Sequence, residues 1–260
     1  MILKRRVSLG GVQLDSLDNR ILISGIDEAA GRDSITGIGS GGNGQRITKK
    51  KRESLDVTIK FTLKIRSDEM AEREALLQKI IGWAAPGGWL KLASRPGQQL
   101  MVALAQAPGS GDMFNWANEF TIVFRAYSVP FWMETTAVSA KSGTAAEGSM
   151  TIDVPGNAES VADATIENRS GKTINRITLK VGDSEIKFTD LNLGGTDTLY
   201  IEHTIRPDIA FFRARTGNGG SVMAKRSGAD DLKVNPGVNA ITFSADRAVA
   251  VTVNVRGRYL

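Results

Sequence analysis

From Leu55 to Ile65 the chain alternates. Leu55, Val57, Ile59, Phe61, Leu63 and Ile65 are apolar, and Asp56, Thr58, Lys60, Thr62 and Lys64 lie between them. Successive side chains of a strand point to opposite faces, so this run predicts a half-buried antiparallel strand. Phe120, Ile122, Phe124 and Ala126 repeat the pattern, and shorter strands fit Arg20 to Ser24, Trp89 to Ala93 and Leu100 to Ala105. One stretch changes period: Met70, Leu76, Leu77, Ile80, Ile81, Trp83 and Ala84 fall near helical spacing. Ser67 is placed to cap that helix, Asp68 and Glu69 suit its positive end, and Ala85-Pro86-Gly87-Gly88 stops it. The first half therefore reads as a β-rich α+β domain, sandwich-like or barrel-like, with one helix.

The second half reads almost wholly as short strands: Ala164 to Glu167, Ile174 to Val181, Glu185 to Asp190, Thr198 to Ile201, Ala210 to Arg213, Val222 to Lys225, Asn239 to Phe243 and Val249 to Val255. Turn residues such as Gly182-Asp183, Gly194-Gly195 and Pro236-Gly237 separate them, which predicts a β-sandwich or jelly roll. Between the halves the composition shifts to Thr, Ala, Ser and Gly, the signature of a linker. The expected organisation is a domain over 1–135, a linker over 136–160 and a second domain over 161–260. The length of 260 residues agrees with two domains.

The segment from Ile26 to Ser54 holds Gly31, Gly37, Gly39, Gly41, Gly42 and Gly44, followed by the basic run Lys49, Lys50, Lys51 and Arg52. It cannot build a core by itself. Two readings stand: an arm that orders on a neighbouring subunit, or a plain surface loop.

Candidate chemistry is sparse. The absence of cysteine excludes disulfides, thiolate catalysis and cysteine-ligated metals. Gly39 to Gly44 has dinucleotide-fingerprint spacing, but Gln45, Arg46, Ile47 and Thr48 follow where a helix must start, so a glycine loop is the better reading. The single histidine, His203, is read as lying on the polar phase opposite Leu199 and Ile201, a solvated or interface residue. Asp230 and Asp231 read as a solvated turn. A net charge of +5 over this length does not identify a nucleic-acid binder, and the Lys49 to Arg52 run lacks stacking aromatics until Phe61. No run approaches the ~20 apolar residues of a membrane span, and MILKRRVSLGG lacks the apolar core of a signal peptide. The chain is expected to be made in a cytoplasm and to use no cofactor, metal, nucleic acid or membrane insertion.

Taken in order, the first half runs from a long amphipathic strand through one helix to Trp83-Ala84-Ala85-Pro86-Gly87-Gly88-Trp89-Leu90 and a Ser94-Arg95-Pro96-Gly97 turn. It closes with Glu119-Phe120-Thr121-Ile122-Val123-Phe124-Arg125-Ala126-Tyr127 and Val129-Pro130-Phe131-Trp132. This order, with Pro236-Gly237-Val238-Asn239-Ala240-Ile241 and the Arg256-Gly257-Arg258-Tyr259 ending, resembles the distal tail protein family of long-tailed siphophages. The resemblance implies an N-terminal domain forming a hexameric ring and a C-terminal galectin-like sandwich, located at the virion tail tip. The implied partners are further copies of the chain, the tail-tube protein, a tail-associated fibre or lysin protein and a receptor-binding protein. It implies no catalytic residues.

Because sheet edges favour association, the expected interface draws on Leu55, Val57, Ile59 and Phe61, on Phe120, Ile122 and Phe124, and on Lys49, Lys50, Lys51 and Arg52. The competing classes are a carbohydrate-binding adsorption module, for which Tyr200 is a candidate platform, a polysaccharide hydrolase, and a tail-tube subunit.

Overall fold

The computed structural model describes residues 6–260 apart from 30, 40–44, 67–68 and 109–118; at 32, 33, 35–39 and 45–51 it describes the backbone alone. Two compact units divide the chain: Met1–Trp132 with Ile205–Ile209, and Met133–Thr204 with Ala210–Leu260.

The first unit contains β1 (Val7–Leu9), β2 (Val12–Gln13), β3 (Ile21–Glu28), β4 (Arg32–Gly39), β5 (Gln45–Leu63), α1 (Met70–Ala84), β6 (Gly88–Leu92), β7 (Gln98–Gln106) and β8 (Glu119–Ala126). An antiparallel sheet runs in the order β2-β1-β6-β7-β8-β5-β3. The alternation that predicts β5 sets its register: Val57, Ile59 and Phe61 stand opposite Phe124, Ile122 and Phe120. All six share one face, and α1 packs on it. Phe61 and Phe120 stack at 5.5 Å, and Trp83 meets Phe124 edge-on at 5.9 Å. Leu76, Leu77, Ile80 and Ala84 complete the buried face of the helix. The Ser67 cap and Asp68 lie outside the described residues, and so does Trp116. At the other end Gly87 adopts a φ of +64°, where a Cβ would come within 2.4 Å of the Val102 carbonyl oxygen, so a glycine is required there.

Where it is described, the glycine-rich segment is strand rather than loop; Gly41, Gly42 and Gly44 of the expected glycine loop lie outside the described residues. β3 and β4 follow one another along β5, pairing with Val57–Leu63 and Gln45–Ser54 respectively. Backbone hydrogen bonding builds this ribbon without needing an apolar face, which is why hydrophobic periodicity does not announce it.

The second unit contains β10 (Val138–Lys141), β11 (Ala145–Val154), β12 (Ser160–Asn168), β13 (Ile177–Val181), β14 (Ser184–Phe188), β15 (Thr198–Ile205), β16 (Ala210–Thr216), β17 (Arg226–Gly228), β18 (Lys233–Val234), β19 (Gly237–Val255) and β20 (Arg258–Tyr259); β9 (Trp132–Glu134) spans the division. The expected strands at Asn239 and Val249 are one continuous strand. The first half of β19 pairs with β11 and β13, and its second half with β10 and β12. One strand thus contributes to both layers of a sandwich. Its core includes Ile166, Leu179, Ile186, Leu199, Ile201, Ile241, Val251 and Val253, each no more than 1% exposed.

Two expectations change here. Val138–Val154, read as linker, supplies two strands to the sheet, and its apolar Met150, Ile152 and Val154 alternate as strand residues do. Small polar side chains on the outward positions gave it a linker's composition. Met223–Lys225, inside the expected Val222 to Lys225 strand, is a short 3-10 helix, and the strand begins at Arg226.

Candidate functional site

The seven apolar residues expected at a subunit interface are in the core of the first unit. Val57, Ile59, Phe61, Ile122 and Phe124 are 0% exposed, Phe120 4% and Leu55 5%. Both edges of β5 from Val57 to Thr62 are already paired, to β3 and to β8. These side chains cannot meet a neighbouring subunit while the unit is folded, because the period-two pattern that marks a strand marks its inward face first.

The outward face of the same strands carries charge. Asp56 and Arg125 stand directly opposite, and the guanidinium grips the carboxylate through two hydrogen bonds, Nε to Oδ1 at 2.6 Å and Nη2 to Oδ2 at 2.7 Å. The Asp56 hydrogen bonds hold the Arg125 pKa above its ordinary value. Lys60 Nζ lies 3.0 Å from Asp27 Oδ2, and that pairing raises the Lys60 pKa. Ser24 donates a 2.7 Å hydrogen bond to Glu119. Cross-strand pairs of this kind tie β3, β5 and β8 together on the side away from α1.

The Lys49–Arg52 run lies on β5, its backbone opposite Thr36, Ile35, Ser34 and Asp33 of β4. Along β5, β8 pairs with Leu55–Thr62 and no further toward Gln45. Beyond Leu55 the β4–β5 ribbon therefore continues for about ten residues, about 30 Å at strand rise, with no third strand paired to it among the described residues. The Arg52 guanidinium sits 5.6 Å from the centroid of the Phe131 ring.

The second unit brings His203 together with several charges. Leu199, Ile201 and His203 share one phase of β15, so the imidazole turns inward rather than onto the polar phase, and its side chain is 12% exposed. Its Nε2 lies 4.0 Å from Asp231 Oδ1, and its backbone N–H donates to Asp163 Oδ1 at 2.7 Å. Burial raises the Asp163 pKa and lowers those of His203 and Arg258. No hydroxyl or thiol nucleophile is joined to the imidazole by a hydrogen bond among the described residues, and no three His, Cys, Asp or Glu side chains there are grouped to hold a metal. Tyr200 is half-buried, with the Arg215 guanidinium 4.4 Å from its ring centroid. Glu202 accepts from Arg213 and Arg215, which lowers its pKa. A sugar platform needs an open aromatic face, and here a cation occupies one.

No family model matches the sequence, and no curated protein matches it. Solved structures do. The Dit protein of phage SPP1, from the hub adsorption apparatus of phages that infect Gram-positive bacteria, superposes with a TM-score of 0.69 over 98% of this chain and 99% of its own, at 14% identity. The chain has the fold of a phage tail hub protein. A protein of the phage P2 baseplate in its activated conformation with calcium matches at a TM-score of 0.51 and 9% identity, over 97% of this chain and 98% of its own. A strontium form of that baseplate gives 0.50 and 10%. The SPP1 match covers 98% of the chain and so takes in both units, and helices long and apolar enough to cross a membrane are absent among the described residues.

Proposed function

We propose that the protein is a structural, non-enzymatic component of a phage tail: a distal tail protein that closes into a hexameric ring. The ring joins the tail tube to a fibre or lysin protein and carries receptor-binding protein at its rim. The observation that carries this reading is the end-to-end agreement with the SPP1 hub protein, both units included.

Physical chemistry supports it. An isolated two-stranded ribbon is marginally stable in water, and unpaired strand edges invite another chain. The β4–β5 ribbon has such edges, and closure into a ring supplies a neighbour to each copy without leaving a terminal one. In this reading the interface shifts from the apolar faces of β5 and β8 to the ribbon, which includes Lys49, Lys50, Lys51 and Arg52.

Electron microscopy of the purified protein tests the proposal. A sixfold ring with a central hole is expected, and replacing residues 33–53 by a short turn is expected to abolish it. Light scattering that finds only monomer at high concentration would overturn the reading.

A further inference from the structure

The buried charges around His203 meet at one place in the second unit, where two neighbouring strands part. β12 and β15 pair from Glu167↔Thr198 to Ala164↔Ile201. Past that point Asp163 takes the N–H of His203 with its side chain, and Ala162 donates its own N–H to Leu232 at 2.8 Å instead. The segment 229–235 thus enters the gap as a strap. It continues along β12 as β18, with Lys233 opposite Val161 and Val234 opposite Ser160. Leu232 and Val234 are 0% and 1% exposed, so the strap closes that end of the sandwich core. Asp231, the residue before Leu232, lies against the imidazole.

We propose that His203 is an acid-sensitive latch for this strap: protonating the imidazole loosens residues 229–235 from β12 and opens that end of the second unit. An imidazolium held in this place loses most of its water, and any opening that hydrates it is favoured as protons are added. The groups facing it decide the sign. Burial is the strongest influence and opposes the charge; Asp231 favours it; Arg258, itself 9% exposed, opposes it. Asp163 of β12 accepts from the His203 backbone, with Glu202 on β15 and Arg256 near it, and Glu159 is paired to Lys233 of the strap at 3.3 Å. The burial of Asp163 works in the opposite direction, since its raised pKa gives stability that falls as pH rises. Glu202, held down by Arg215 and Arg213, loses its own contribution only as pH falls through and below its ordinary 4.5, so a loss of protection between pH 7.5 and pH 5 is assignable to His203.

The sequence has one histidine, so its two imidazole C–H proton-NMR signals titrate as one site in the 260-residue chain. The test is hydrogen exchange from pH 7.5 to pH 5, corrected for intrinsic rate, at the Ala162 amide and at Leu179 on the opposite layer. Each unit by which the imidazole pKa is depressed gives up to about a tenfold loss of protection at Ala162, with Leu179 unchanged. The loss should follow the NMR titration and vanish in His203→Gln. An ordinary imidazole midpoint, unchanged Ala162 protection in the wild type, or an equal loss in His203→Gln would each overturn the proposal. If that variant fails to fold, the two wild-type titrations decide alone: parallel curves support the latch and unrelated ones refute it.

Discussion

Replacing Phe61 by alanine separates a core role from an interface role. Phe61 is 0% exposed, stacks on Phe120 at 5.5 Å, and sits on a strand paired along both edges. The surroundings are held by two ladders and cannot collapse into the space, so the loss lies in the usual range for a buried aromatic, about 3–5 kcal/mol. That is roughly a fifth or more of the 5–15 kcal/mol that holds a typical domain. All four tryptophans precede residue 133, so their fluorescence reports the first unit, while far-ultraviolet circular dichroism reports both. With a urea dependence of about 2 kcal/mol per molar, the fluorescence midpoint should fall by about 2 M. The second unit's transition should not move. Thr62→Ala, on the outward face, should change the midpoint by no more than about 0.5 kcal/mol equivalent. A Phe61→Ala protein that melts like the wild type but no longer assembles would refute the argument, because the ring would then belong to a subunit contact.

Three further outcomes follow from the second unit. Gly148 lies opposite Phe243, and a Cβ there would be 2.7 Å from the ring, so Gly148→Ala should cost about 1–3 kcal/mol in thermal melts and be relieved by Phe243→Leu. Burial raises the Asp163 pKa, so the folded state binds this proton more tightly than the unfolded chain; stability should fall as pH rises from the ordinary 3.8 through the raised value. Asp163→Asn keeps an acceptor for the His203 N–H and should remove that slope and be more stable at pH 7, as urea titrations across pH would show. Tyr259 donates to Glu134 at 2.5 Å, which pushes its pKa up to about 12. The stability this lends is present below about pH 10 and lost as pH rises through 12; ultraviolet titration should find one of the three tyrosines ionising late, and Glu134→Ala should return it to the ordinary range.

Much of this architecture was written in local pattern. The β5 and β8 runs, the helix ending before Gly87 and the valines at 249, 251, 253 and 255 each follow from side-chain periodicity, because burial on one face demands it. The mainly β class and the resemblance to a tail hub protein rest on that order of elements. Three things did not follow. The 32–54 ribbon is held by backbone hydrogen bonds that leave no apolar signature, and the 138–154 strands hide behind small outward residues. His203 shares the phase of Leu199 and Ile201, yet its environment depends on a strap thirty residues later in the chain. A strand's two faces look alike in period, so the sequence determined which positions alternate, and only packing against α1 or a second layer decided which side chains are core and which remain for a partner.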